Sequence, residues 1–421
     1  MRTHVFARQR QRGAAALVVT LVILLAMVLT AVFANRNLLF EQRTSANQYR
    51  AAQAFEAAEA GVEWALAQLN ANQRIGPDCE PVADPAALSF RSRYLSTAPR
   101  TGVLTPIIWG AGTTLQASCV RRGGSWSCSC PVNGPPTLTA PTGTAPAVAF
   151  VLQFAPAEKP GLVRIVANGC TRLAGPCASS STAHAEASAR IEVVLGLVPG
   201  LRTPPASTVT TRAAFDTGSA ALGLHNPDPE TGIAVNAGGA ITASQARLTP
   251  PAGAPITSLL VGHDTSLAAM PAERFFASHF GVDKAAWRAQ PAVTRIACTI
   301  DCAAVLEAAV ANAADGALVH VDSDLALAGP ITLGSAQRPV AIVVSGATRL
   351  EGPVAQHGVL YAASLAWDNA SVGAFVRGAL LSEGGYAGNG APELFYDPAA
   401  LDALRHGTGS FARVNGSWRD F

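Results

Sequence analysis

The pattern of apolar and polar positions changes twice within the first 72 residues. Residues 1–13 are polar and basic, Ala14 to Ala34 carry no charge, and from Arg36 onward apolar residues recur every three or four positions. The uncharged run, AAALVVTLVILLAMVLTAVFA, has 21 residues. As a helix it reaches about 31 Å, enough to cross the hydrocarbon core of a bilayer. Between Arg36 and Ala71 there is no proline and a single glycine, Gly61. Phe55, Ala58, Val62, Leu66 and Leu69 form one apolar stripe, and Glu56, Glu59 and Glu63 a separate acidic one. The pattern predicts one helix from Ala14 to about Ala71, roughly 87 Å long.

Strand-like patterns follow a turn-rich stretch. Val148 to Phe154 and Leu162 to Ala167 read as buried strands, and Ala185 to Leu197 alternates well enough for a third. Pro199 to Pro205 looks like a boundary. Beyond residue 206, apolar runs at Ala317–Val321, Val340–Val344, Val359–Ala362, Phe375–Leu381 and Glu393–Tyr396 start 16 to 23 residues apart. Such spacing suggests rungs of a β-solenoid, each buried against its neighbours, with an ordinary β-sandwich as the alternative. Pro271–Trp287, with Phe275, Phe276, His279 and Phe280 at helical spacing, and Ala303–Ala314 read as helices. The expected class is α+β: a long transmembrane and amphipathic helix, a small antiparallel β domain, then a β-rich, solenoid-like domain. The expected divisions are a leader 1–13, a helix 14–72 with 14–34 in the membrane, a disulfide-containing β domain 73–200 and a C-terminal domain 201–421.

Composition alters this picture modestly. The chain has 421 residues, room for two or three globular units at about 150 residues each. Hydrophobic residues make up 49%, but much of that is alanine; aromatics are only 6%, and 38 Gly with 28 Pro suit small-residue β layers and turns. The net charge of +2 owes everything to Arg2, Arg8, Arg10 and Arg12, without which the balance is about −2. A near-neutral body lacks the concentrated basic face that nucleic acid requires of its main partner. Arginines before the apolar run, and only Arg36 soon after it, put the short end in the cytoplasm and the bulk outside.

The cysteines agree with an exported body. Cys79, Cys119, Cys128, Cys130, Cys170, Cys177, Cys298 and Cys302 all follow the apolar run, an even count that suits disulfides in an oxidising compartment. Cys170 with Cys177, and Cys298 with Cys302, are the obvious local pairs. The other four would pair among themselves, a Cys128–Cys130 bond being disfavoured by its short loop. Connectivity stays open at this level. The rival is zinc held by Cys119, Cys128 and Cys130, but no histidine lies nearby and the spacing fits no common finger.

Three readings compete for the N-terminus: a secretory signal cut among Ala31–Ala34, a plain membrane anchor, and a rod that leaves the bilayer to pack against its neighbours. The helical pattern beyond the membrane edge favours the third. Gln9-Arg10-Gln11-Arg12-Gly13-Ala14-Ala15-Ala16-Leu17-Val18, with Ala51–Asn70 (AAQAFEAAEAGVEWALAQLN), resembles the N-terminal region of PilX-type pilus assembly proteins. Gly384–Asp397 and Gly416–Phe421 also resemble the tails of large PilX-type proteins. The resemblance implies cleavage between Gly13 and Ala14 by the prepilin peptidase, N-methylation of Ala14, and a small antiparallel sheet packed on the exposed half of the helix. It further implies residence in the inner membrane before assembly and at the pilus or cell surface after it. The implied partners are other minor pilins, the major pilin and a tip adhesin. Ala14 stands where the wider pilin group has phenylalanine, and Val18 where major pilins carry a glutamate at the fifth mature position. In the family picture that carboxylate pairs with the terminal amine of the subunit ahead, which makes two desolvated charges tolerable. A subunit with nothing ahead of it needs no such group, so Val18 suggests a tip or priming position. The plainer account is apolar packing at an internal position.

Catalytic motifs are not evident: there is no G-x-S-x-G elbow, no Walker loop and no H-E-x-x-H pair. His279 reads as a packed core residue. His320 with Asp322 and Asp324 offers too few ligands for a metal, and Asn226-Pro227-Asp228-Pro229-Glu230 reads as a turn rather than a calcium loop. The Gly384, Gly385, Gly388 and Gly390 cluster leads into no helix that would present a phosphate site. No cofactor and no metal are expected. The reading is a minor pilin that helps prime or tip a type IV pilus and supports adhesion or twitching. Its rivals are a minor pseudopilin K of type II secretion and a membrane-anchored periplasmic β-helical enzyme.

Overall fold

A computed structural model describes residues 12–110, 112–140, 147–173, 177, 186–298, 302–368 and 373–421. One unbroken α-helix, Arg12–Asn70, forms the stem. Ala, Leu, Gln and Glu, good helix formers, dominate it, and no proline interrupts it. It stops where the chain turns at Asn72, whose φ of 44° lies in the left-handed region that asparagine tolerates. Residues 15–49 are exposed throughout, and burial begins at Ala54.

The buried stripe is narrower in side chain than the sequence suggests. Ala54, Ala58, Val62, Ala65 and Leu69 are buried to 1% exposure or less, while Phe55 and Leu66 flank them half-buried. Close approach of backbones explains the difference. The strand Leu162–Cys170 crosses the helix so tightly that a Cβ on Gly169 would lie 2.0 Å from the Ala54 carbonyl oxygen and 2.4 Å from the Ala58 nitrogen. Small residues occupy the centre of the contact because nothing larger fits there.

Around this half of the helix curls an antiparallel sheet in the order Gly409–Arg413, Ser188–Pro199, Leu162–Cys170, Ala149–Pro156, Gln116–Arg122, Ser125–Ser129. Phe150, Leu152, Phe154, Ile165, Ile191 and Val193 form one core with Val62, Leu69, Phe90 and Tyr94. The end of the chain departs from the expected division at 200/201. Gly409–Arg413 and Arg419–Asp420 return from the C-terminal region and pair with Ser188–Pro199, which would otherwise be an open edge.

The eight cysteines form four disulfides, Cys79–Cys130, Cys119–Cys128, Cys170–Cys177 and Cys298–Cys302. Cys119 and Cys128 sit directly opposite each other on adjacent antiparallel strands, with Cα atoms 4.0 Å apart. Three of the four bonds lie in the antiparallel region.

From Ser207 to Tyr396 the pairing is parallel. One sheet runs Arg247–Thr249, Gly223–His225, Glu393–Tyr396, Phe375–Ser382, Val354–Ala362, Val340–Val344, Ala317–Val321, Val293–Ile296; a second runs Ile241–Thr242, Phe215–Asp216, Tyr386–Ala387, Ser364–Trp367, Ala347–Leu350, Leu325–Leu327. Val319, Ile342, Leu360 and Leu380 of the first share a core with Leu325, Leu350, Leu365 and Tyr386 of the second.

The earliest strands are not at an end of the stack. Ser207–Thr211 pairs with Ile233–Ala237 on one side and with Phe375–Ser382 on the other. The chain builds outward to Leu260–Val261 and then passes through the helices Thr265–Ala269, Ala272–Phe280 and Lys284–Arg288. It restarts at Val293–Ile296, the opposite end of the first sheet, and works back. These helices cover the sheet's outer face, where Phe275, Phe276, Phe280 and Trp287 pack on Val343, Tyr361 and Leu381. The single helix expected over Pro271–Trp287 is two helices, because Gly281 adopts φ 78° and ends the first. Helix Ala303–Asn312 packs beside the Val293–Ile296 end and inserts Leu306 into the core.

Candidate assembly interface

The proximal half of the stem has the surface of a membrane span and a packing rod combined. Leu17, Val18, Leu21, Leu24, Leu25, Met27, Leu29 and Phe33 are each more than half exposed. The two hydroxyls in this stretch satisfy themselves: Thr20 Oγ1 donates to the Leu17 carbonyl at 2.9 Å and Thr30 Oγ1 to Ala26 at 2.7 Å. That keeps the span free of unpaired polar side chains, as hydrocarbon requires. Arg36, the first charge after the run, lies over the Phe40 ring at 5.7 Å, where its stem stays apolar and its head meets water. Val18 is 59% exposed among aliphatic neighbours, so this position offers a neighbouring helix only apolar surface. Gly13 and Ala14 fall in the first turn of the helix, and leader residues 1–11 lie outside the described residues.

The distal end of the stem is bound to both β regions. Asn70 donates to the Phe411 carbonyl (3.0 Å) and accepts from the Phe411 amide (2.7 Å), tying the helix to the returning C-terminal strand. Asn72 donates to Gly316 O at 2.7 Å and accepts from the Asp315 amide at 2.9 Å, tying it to the start of Ala317–Val321. Asp315 accepts from the Ser89 and Ser92 hydroxyls, each at 2.5 Å. Arg91 donates to the carbonyls of Leu69, Gly407 and Gly409, and Arg93 to those of Ile75, Gly76 and Cys130. Burial holds both guanidinium groups below their ordinary pKa, with Asp315 opposing the shift at Arg91 and Tyr94 and Asp78 opposing it at Arg93. Bonds of this density around a helix terminus leave little freedom between stem and head. The sequence signalled none of it, because Asn70 and Phe411 are 341 residues apart.

The polar residues singled out in the sequence do not converge on one site. His279 packs edge-on to Phe275, with Nδ1 3.2 Å from Thr203 O, and burial lowers its pKa. His320 approaches Asp322 at 3.0 Å through Nδ1 and Ser345 Oγ at 3.3 Å through Nε2, an arrangement that superficially matches a nucleophile–base–acid relay. Three features oppose that use. Nδ1 is close to Asp322 yet makes no well-directed hydrogen bond; Arg288 and Arg295 already pair with Asp322; and the imidazole is buried beside Trp287. Asp324 turns to the Ala347 amide at 2.8 Å.

Asn226 holds its own turn, donating to Thr231 and Ile233 O and accepting from the Asp228 amide. The 384–390 glycines serve close stacking: a Cβ on Gly388 would lie 2.2 Å from Trp367 O, and one on Gly385 2.6 Å from Ala214 O. The structure also builds clusters without a sequence signature, among them Lys284 paired with Glu383, whose carboxylate accepts from Tyr361 Oη at 2.7 Å. Burial and Glu383 together hold the Tyr361 phenol protonated well above its ordinary pKa.

A bare apolar helix thus becomes the spine of an antiparallel sheet. The N-terminal segment, residues 12–63, matches the PilX N-terminal family. Among solved structures, the chain aligns with the competence-associated pilin ComZ from Thermus thermophilus. That alignment has 12% identity, covers 88% of this chain and 97% of that one, and has a TM-score of 0.24. No curated protein sequence matches the chain.

Proposed function

We propose that this chain is a minor pilin that helps prime or tip a type IV pilus, with a large head that supports adhesion or twitching. The observation that carries the reading is the single helix Arg12–Asn70, bare and apolar over residues 15–34 and locked into the head beyond Ala54. Such a stem can exchange lipid for sister helices without unfolding, because its backbone bonds are all internal. In this reading the prepilin peptidase cuts between Gly13 and Ala14, Ala14 becomes N-methylated, and the head lies in the periplasm before assembly. The other minor pilins, the major pilin and a tip adhesin are the partners. Val18 supports a tip or priming position, since no carboxylate is available there for a subunit ahead.

The head reads as two units, the antiparallel one about 73–200 with the returning strands, and a β-solenoid across most of 201–408. The in-register parallel pairing from Ala317–Val321 through Glu393–Tyr396 supports the solenoid.

N-terminal mass spectrometry of the membrane-derived protein tests the proposal. A methylated Ala14 is the expected result. An intact Met1, or a terminus near Asn35, would overturn it.

A further inference from the structure

A cavity of about 260 Å³ lies between the strands Ser207–Thr211 and Ile233–Ala237 and the helices Thr265–Ala269 and Ala272–Phe280. Leu267, Met270 and Phe275 are part of its apolar lining. The polar lining is hydrogen-bonded in a direction that can be assigned side chain by side chain. Ser207 Oγ donates to Val209 O at 3.0 Å. A hydroxyl has a single proton, so Thr210 Oγ1 must be the donor in its 2.7 Å contact with Ser207 Oγ. Ser266 Oγ donates to Asp264 Oδ1 at 2.6 Å, and Ser278 Oγ to Phe275 O at 2.8 Å. Burial favours neutral His279, whose Nδ1 lies 3.2 Å from Thr203 O; Nδ1 therefore carries the proton and Nε2 the lone pair.

Each of these protons is thus spent inside the protein. Asn236 Nδ2 approaches Asp264 Oδ2 at 3.4 Å, since the opposite amide orientation would set oxygen against carboxylate. Its Oδ1 is left buried with no partner among the described residues, an unanswered acceptor dipole beside the cavity. Apart from the second Nδ2 proton of Asn236, the polar side chains of the lining offer only lone pairs. No arginine or lysine lines the cavity, and no charged side chain acts on Asp264. Hydrogen bonds from the Ser266 hydroxyl and the Leu267 amide hold the Asp264 carboxyl below its ordinary pKa, so it stays ionised at neutral pH.

We infer that this cavity binds a small organic ammonium group, a primary amine on a short apolar chain, with Asp264 as its counter-ion and Leu267, Met270 and Phe275 against the chain. An ammonium carries three donors, no acceptor and a positive charge, the inverse of this lining. An anion would meet a like charge and almost no donors. A neutral alcohol has one proton to give and leaves Asp264 without a counter-charge. A bare divalent cation fits poorly, because hard cations take about six to eight oxygens and Asp264 is the one carboxylate in the lining. The volume falls just below the usual range of ligand pockets, about 300–1,000 Å³, so the occupant is one small molecule or one side chain. All the lining residues belong to the head, so the site needs no filament to form.

The test titrates the full chain, in nonionic detergent micelles, with n-butylammonium chloride by calorimetry. The comparison probes are n-butanol, calcium chloride and Nα-acetyl-lysine N-methylamide. Butylammonium should bind saturably and about tenfold more tightly than butanol, the difference expected of one charge-assisted hydrogen bond. Both butylammonium and the lysine derivative present the required group. Tighter binding of the first assigns the site to free amines, and tighter binding of the second assigns it to a lysine side chain of a partner. Asp264→Asn keeps a side-chain oxygen to cap the helix Thr265–Ala269, so it should melt like the parent and lose about tenfold in butylammonium affinity. If that variant folds poorly, the parent's own preference for butylammonium over butanol decides. Equal binding of those two probes, no saturable binding of butylammonium, its displacement by lower concentrations of calcium, or a folded Asp264→Asn protein that binds it like the parent would each overturn the inference.

Discussion

The two β regions of the head are built on opposite strategies. The antiparallel sheet wraps one helix, and its core joins residues from both ends of the chain, from Val62 to Phe411. Three disulfides lie within it. The parallel region instead repeats one contact: strand on strand in register, with aliphatic side chains between two sheets and a cover of helices over the outer face. The first region depends on a few irreplaceable contacts, while the second spreads its stability over many similar ones. A helix at the junction, held by Asn70 and Asn72, makes the two move together.

Four measurements would break or sharpen that contrast. The largest effect is expected at Trp287, which is fully buried in the helical cover and donates Nε1–H to Gly200 O at 2.8 Å. Trp287→Ala should lower unfolding stability by about 3–5 kcal/mol, read by denaturant titration. A loss below about 1 kcal/mol would mean the cover is dispensable and the sheets stand alone. Next is Cys79–Cys130, which closes the longest of the four loops at a separation of 51 residues. Removing it by the double change to serine should cost about 2–5 kcal/mol and expose the antiparallel region first in limited proteolysis. Removing Cys298–Cys302, with a separation of 4, should cost less.

Gly169→Ala comes third. The new methyl would meet the Ala54 and Ala58 backbone, so stem and sheet must part, at a cost of about 1–3 kcal/mol. The same change at Gly373, where nothing lies within 4 Å of a new Cβ, is not an equivalent control because its φ of 92° penalises any side chain; Gly124, open and without that constraint, is. Indistinguishable melting of the Gly169→Ala and Gly124→Ala proteins would contradict the tight crossing.

Acid should produce the smallest effect and a regional one. Burial lowers the pKa of His279, His320, His357 and His406 from the ordinary 6.5; the first three belong to the parallel region and its cover, and only His406 reaches the antiparallel unit, against Gly102. The neutral forms of all four are favoured in the folded state, so stability is intact above pH 6.5. It declines as pH falls below that value, while the unfolded chain takes up protons first, and levels off beneath the folded pKa values. No described histidine lies in the antiparallel sheet. Hydrogen exchange at pH 5 against pH 7.5 should therefore loosen the parallel region preferentially, and uniform loosening would refute that division.

Local pattern carried a good deal of this. Val340–Val344 and Glu393–Tyr396 were legible as short apolar or alternating runs bounded by turns, and both are strands with those limits. The stem was legible because helical period and an uncharged span are properties of neighbouring residues. Ile241–Thr242 and Tyr386–Ala387, two residues each, carry no pattern of their own and become strands because layers on either side supply partners. The helix Ala272–Phe280 was legible, but its stop was not, since Gly281 reads as tolerated until its left-handed φ is seen.

The sequence by itself determined the bare stem and most of the longer strands, because each follows from which residues are adjacent in the chain. Tertiary structure alone decided that the last strands close the first sheet, that Ser207–Thr211 lies inside the parallel stack, and that alanine and glycine rather than phenylalanine occupy the centre of the stem–sheet contact. Those outcomes depend on which surfaces meet across hundreds of residues, and on how closely two backbones can approach once they do.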